Sequence, residues 1–278
     1  MPTTPTVLLV HGAFADASSW SGVVEELQSQ DIPVLAIPNP LRGLASTAAQ
    51  IDGPVVLVGH SYGGALITVA GAAENVVGLV YVAAYVPEEG ESLGESLGEL
   101  QGRFPLSPLV ANLVERTYPV EGAEPAVEVT IKAEAFPGLF AADVPAEVTK
   151  ILAVSQRPPA ASVFTEPAAT AAWQTKPSWA LIADADEAIN PDVQRFGAKR
   201  AGSTVVEVEG ASHAVAVARP KEVAALIRDA VRATSRPVRA PGTRTPGAPP
   251  APCGSLHPPS DARGQVDDRA GRMVNSRP

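Results

Sequence analysis

The sequence predicts an α/β protein: a mostly parallel sheet of about six strands, flanked by helices, with a helical lid inserted after the strand that follows the central helix. Three observations carry this. Short apolar runs rich in β-branched residues recur at residues 6–10, 32–37, 55–58, 76–83, 179–183 and 204–208, each the length of a buried strand. Segments with helical spacing separate most of them, as crossover connections require. From Pro87 to about Thr175 the alternation stops, and the apolar patches at 106–114, 127–135 and 144–154 have helical spacing broken by Pro and Gly.

Taken in order, residues 6–10 form a strand that runs into His11-Gly12-Ala13-Phe14. Ser18 or Ser19 can cap a helix whose Trp20, Val23, Val24 and Leu27 share one face. A strand at 32–37 ends at Pro38-Asn39-Pro40, and only a short helix fits between about 44 and 51. Next comes the stretch that organises the chain. Val55-Val56-Leu57-Val58 reads as a buried strand, and the small-residue run at 65–73 reads as a helix. Between them lies Gly59-His60-Ser61-Tyr62-Gly63, a G-x-S-x-G pattern. In that setting the Ser sits on a sharp strand-to-helix turn, with its hydroxyl held away from the sheet. The flanking positions must be small because two backbones pass closely there. After the lid, alternation resumes with a strand at 179–183, a helix at 191–201, a strand at 204–208 and a helix at 220–233 that has Pro near its first turn.

These elements give an α/β core at 1–86 and 176–235, a helical lid at 87–175 and a tail at 236–278. The tail is dense in Pro, Gly and Arg, has seven Arg against three Asp, and lacks aromatics. It cannot bury enough apolar surface to offset its ordering entropy and is expected to be disordered. Over the whole chain, 21 Lys and Arg face 30 Asp and Glu, a formal charge of -9, which argues against a nucleic-acid partner. Cys253 is the only cysteine, so no intramolecular disulfide forms. Met1-Pro2-Thr3-Thr4-Pro5 lacks the basic and apolar regions of a signal peptide, and no apolar run reaches the length of a membrane span. A cytoplasmic protein without a membrane partner is expected; a homodimer remains open.

A Ser nucleophile needs a base, and the base needs a group that fixes its tautomer. Of the four histidines, His257 lies in the tail, His60 lies inside the turn with its side chain expected to point away from Ser61, and His11 ends a strand. His213 follows the last strand in Gly210-Ala211-Ser212-His213, where parallel-sheet enzymes assemble their sites, and is the expected base. The acid should follow the preceding strand, where Asp184, Asp186 and Glu187 stand. Asp186 has the reach to meet His213, whereas Asp184 should point along the strand edge or cap the turn. An oxyanion hole needs two N–H donors, expected from Tyr62 and, in the Gly12 turn, from Ala13. No cofactor or metal is called for.

Together these motifs resemble the α/β-hydrolase superfamily over nearly all of residues 6–233. Val10-His11-Gly12-Ala13 followed by Trp20 is similar to the branch of small esterases that includes plant methyl-ester hydrolases, hydroxynitrile lyases and bacterial pyrethroid-type carboxylesterases. That resemblance implies the same assignments for Ala13 and Asp186. It implies a carboxylesterase acting through an acyl-enzyme on a small ester with apolar groups, which Phe104, Phe136, Leu139 and Phe140 of the lid would either contact or bury as lid core. Alternatives on the same scaffold are a hydroxynitrile lyase, a cofactor-free haloperoxidase or perhydrolase, and a ligand-binding protein without turnover. Hydroxynitrile lyases of this branch place Thr where Gly12 stands and Lys where Ala214 stands; haloperoxidase-like members follow the nucleophile with Met where this chain has Tyr62. The chain also departs from the branch in having Ala183 for the usual Gly and a shortened stretch at 44–52.

Overall fold

The computed structural model describes residues 3–38, 48, 50–94 and 103–235. Its elements run β1 (Thr6–Val10), α1 (Ser21–Gln28), β2 (Val34–Ile37), β3 (Val55–His60), α2 (Tyr62–Ala70), β4 (Val76–Val82), α3 (Pro108–Ala111), β5 (Leu113–Tyr118), β6 (Ala126–Ile131), α4 (Phe136–Phe140), α5 (Ala146–Val154), β7 (Ser178–Ala183), α6 (Pro191–Arg200), β8 (Thr204–Val208), α7 (Val215–Ala218) and α8 (Pro220–Thr234). Six strands form one sheet in the order β2-β1-β3-β4-β7-β8, and every pairing in it is parallel.

Side chains of each strand alternate between two apolar layers. Val7, Leu9, Val56, Val58, Val80 and Val82 pack with Trp20, Val23 and Leu27 around α1 and with Val223, Ile227 and Val231 of α8. Leu8, Val10, Leu57, Leu79 and Tyr81 pack on the other side with Ile67 and Ala70 of α2 and Ala198 of α6. Because both faces are covered, β3 and β7 are buried along their whole length and read as continuous apolar runs. Each such Val or Leu contributes about 1.5–3 kcal/mol by leaving water. The central position of β3 puts residue 61 at the C-terminal edge of the sheet, between its two halves.

The segment between β4 and β7 is not all-helical, as the spacing had suggested. β5 and β6 form an antiparallel hairpin, from Leu113 opposite Ile131 to Tyr118 opposite Ala126. The helical reading of 127–135 is thus corrected. Val127, Val129 and Ile131 repeat every second residue, and Val129 and Ile131 are buried in a cluster that the insertion shares with Ala13, Phe14 and Ala214. Gly122, in the connection, takes a positive φ of 73°, a conformation a turn requires. The expected helix at 144–154 is present as α5. Both ends of the insertion meet: the Trp173 indole N–H donates to Pro87 O at 2.8 Å, and Ala168 N–H donates to Glu91 O at 3.0 Å.

Most of the short helix expected near 44–51, and the whole tail at 236–278, lie outside the described residues. Among the described residues no helix is long and apolar enough to cross a membrane.

Candidate active site

The turn after β3 passes into α2 without a linker, so α2 begins at Tyr62, earlier than its small-residue run suggested. Ser61 takes φ 55° and ψ −123°, outside the regions open to most L-residues. Such a conformation costs on the order of 1–3 kcal/mol and persists because its surroundings fix it. Ser61 N–H donates to Val82 O, while Ser61 O accepts from Gly64 and Tyr85 N–H groups. The two small positions flanking the Ser are forced: a Cβ on Gly59 would stand 2.4 Å from Gly63 O, and one on Gly63 would stand 2.6 Å from Val10 O.

The β1 exit is equally tight. A Cβ on Gly12 would lie 2.7 Å from Ser61 Cβ and 3.0 Å from His60 Nδ1. This brings the Gly12-Ala13-Phe14 turn against the Ser, as the oxyanion assignment requires, and leaves no room for a threonine there. Tyr62 is the first residue of α2, so its N–H has no acceptor within the helix.

His213 and Asp186 meet as the loop lengths predict. His213 Nδ1 lies 2.7 Å from Asp186 Oδ2, and both side chains are essentially inaccessible to water. The carboxylate accepts, so Nδ1 carries the proton and Nε2 keeps its lone pair. Asp186 is itself held by three further donors: Ala188 and Ile189 N–H on Oδ1, and Gln194 Nε2 on Oδ2, each at 2.8 Å. Gln194, on α6, is pinned in turn, its Oε1 accepting from Ala183 N–H and its Nε2 donating to Ile189 O. Asp184 does not approach His213; it accepts from Gly210 N–H at 2.6 Å and so anchors the start of the His213 loop.

His60 points away from Ser61 and serves as a floor beneath His213. Its Nε2–H donates to His213 O at 2.9 Å, and the two rings are 4.7 Å apart. Complete burial, with the neighbouring His213 adding to it, pushes the His60 pKa down to about 3, so the ring is neutral. Burial also lowers His11, whose Nδ1 lies 2.8 Å from Gly12 O. Sequence reasoning had assigned no role to Gln194 or to His60. Signals for both exist: a glutamine on the inner face of an amphipathic helix, and an imidazole closing a fully buried strand, each of which must find partners.

Ser61 and His213 line one narrow cavity of about 10 Å³, with Ala13, Phe14, Tyr62, Tyr85, Leu109, Phe140, Phe164, Ala188 and Ile189. Its walls are largely apolar. The phenols of Tyr62 and Tyr85 stay neutral: burial, with Glu166 adding to it, pushes Tyr62 up to about 12, and burial, with Asp186 adding to it, holds Tyr85 well above its ordinary value. Of the lid residues singled out in the sequence, Phe140 faces the pocket, and its ring stands edge-on to His213 at 4.6 Å. Phe136 and Leu139 pack in the apolar cluster that the insertion shares with Ala13, Phe14 and Ala214, and Phe104 lies against Phe196.

A doubly covered parallel sheet, a strained Ser at the end of β3 and a His–carboxylate pair on the loops after β8 and β7 define the α/β-hydrolase architecture. The chain belongs to the alpha/beta hydrolase family, whose model matches residues 7–226. No curated protein matches it significantly. Solved structures share the fold. Polyneuridine aldehyde esterase is 19% identical, with a TM-score of 0.70 over 82% of this chain and 99% of that one. A pyrethroid hydrolase from Sphingobium faniae JZ-2 is 23% identical, with a TM-score of 0.68 over 83% and 98%. Methylesterase MES16 from Arabidopsis is 16% identical, with a TM-score of 0.66 over 82% and 99%.

Proposed function

We propose that the protein hydrolyses small carboxylic esters through an acyl-enzyme. The observation that carries this is the shared pocket: Ser61, strained at the elbow, opens into the same apolar space as His213, whose tautomer Asp186 fixes. His213 Nε2 takes the Ser61 proton as Oγ attacks the ester carbonyl. In this reading the oxyanion that forms accepts from the N–H groups of Tyr62 and Ala13. His213 returns the proton to the leaving alcohol, which departs and leaves an ester on Ser61. Water, deprotonated by His213, then attacks that ester, the acid leaves, and Ser61 regains its proton.

The apolar walls favour esters whose acyl or alcohol part is uncharged, and the tight fit at Gly12 supports this reading over a lyase with Thr in that place. The neighbours named above as esterases and a pyrethroid hydrolase point the same way. A chain-length series of p-nitrophenyl and methyl esters tests it, with the Ser61→Ala variant as control. Turnover of at least one series that disappears in the variant is expected. Labelling of Ser61 by a fluorophosphonate without turnover of any ester would instead indicate a binding protein.

A further inference from the structure

The two residues flanking His213 are bonded to the insertion rather than to the sheet. The N–H of Ser212 donates to Asp143 Oδ1 at 3.3 Å, and the Ser212 hydroxyl donates to the same oxygen. On the other side, Ala214 N–H donates to Phe140 O at 2.7 Å. Asp143 lies in the turn between α4 and α5 but caps neither: Pro145 precedes α5, with no side-chain cap. The hydrogen bonds of its carboxylate go to Ser212. Its second oxygen is buried, accepts no hydrogen bond, and lies 3.5 Å from Arg219 Nη2. Its hydrogen bonds serve the Ser212 backbone and hydroxyl, and its other oxygen pairs with Arg219, the residue before α8.

Resting on the ester-hydrolase reading, we propose that Asp143 is a positioning residue for His213. Acting through Ser212, it makes the seating of the insertion a condition for the base to stand in register with Ser61. The ring of His213 is fixed by Asp186 and its carbonyl by His60, both from the core. The approach of the loop is fixed by Asp143 and by Phe140 O, both from the insertion. An insertion that lifts therefore withdraws the base along with the pocket wall.

The test compares the parent with Asp143→Ala, Ser212→Ala and the double variant. It reads the second-order rate of Ser61 labelling by a fluorophosphonate, and kcat and KM on p-nitrophenyl acetate, whose acyl group reaches little of the insertion. Each single variant is expected to slow labelling and kcat by about 10- to 100-fold with KM little changed, the effect of displacing a catalytic group by about 1 Å. The double variant should be no slower than the slower single one, because both act through one contact. Asp143→Asn, which keeps the size and an acceptor, should stay closer to the parent and serves if the alanine variant fails to fold. Parental labelling rates in the single variants, even with a lowered Tm, would overturn the inference, as would additive losses in the double variant. If the parent's Ser61 neither labels nor turns over any ester, the hydrolase reading fails first, and this one with it.

Discussion

Asp186→Asn changes one atom, and the surroundings decide which way the new amide faces. Oδ1 of Asp186 accepts from two backbone N–H groups, Ala188 and Ile189. An amide nitrogen facing them would leave both donors buried and unpaired, at about 1–3 kcal/mol each. The carbonyl oxygen of Asn must therefore stay on that side, and its NH₂ must face Gln194 Nε2 and His213 Nδ1. Gln194 cannot turn to accept, because its Oε1 already serves Ala183 N–H and its Nε2 serves Ile189 O. His213 must then present Nδ1 as an acceptor and carry its proton on Nε2, the nitrogen that should receive the Ser61 proton. A loss of about 10⁴ in kcat follows, by analogy with the same swap in serine proteases, with KM nearly constant. Asp184→Asn offers the contrast. Its oxygen serves one N–H, Gly210, and an amide oxygen can do the same, so kcat should stay within about tenfold. Steady-state kinetics of both variants on one activated ester decides the matter. Equal losses, or a larger one at Asp184, would refute the assignment of Asp186 and the argument about Gln194.

Ser61→Ala should lower kcat by about 10⁶ while leaving the thermal unfolding curve in place, since the side chain lost is one hydroxyl. Gly12→Ala should cost about 1–3 kcal/mol by overpacking and lose turnover as well, because the new methyl meets Ser61 Cβ at 2.7 Å; denaturant titration and ester assays read the two effects separately. His60 titrates near 3 when folded and near 6.5 when unfolded, so its neutral burial is fully tolerated above pH 6.5 and opposes folding progressively as the pH falls towards 3. Between pH 8 and pH 5 this should remove about 2 kcal/mol of unfolding free energy, with His11 acting in the same direction; identical stability at the two pH values would contradict a buried neutral His60. A chain ending at Ser235 should keep its Tm and its activity, because the apolar face of α8 ends at Val231 and the residues beyond lack aromatics; a clear fall in Tm would show that they pack on the domain.

The sheet was legible because its strands are buried on both faces, so their apolar runs stand out whatever the register. The elbow was legible because close backbone approach leaves no alternative to Gly at 59 and 63. The Asp186–His213 contact followed from chain order and loop reach alone. The hairpin in the insertion was missed although Val127, Val129 and Ile131 alternate, because Pro and Gly interrupt that region and short apolar patches fit either period. The partners of Gln194, His60 and Asp143 were not legible in the sequence. His60 and Asp143 act through partners far away along the chain, Gln194 through the neighbouring loop, and a polar residue's pairing depends on which backbones the fold brings beside it.

The bond from Trp173 to Pro87 also bears on how such a protein can be rebuilt. Nearly ninety residues leave the sheet and return to within one hydrogen bond of their departure point. Loop-closure entropy grows only with the logarithm of length, so a shorter or longer excursion between the same two posts would change stability by about 1 kcal/mol or less. An insertion from another family member, grafted between positions 87 and 173, should therefore be accepted by the core as a cassette. What it must bring along is an acceptor facing Ser212, without which the graft would fold and yet turn over slowly.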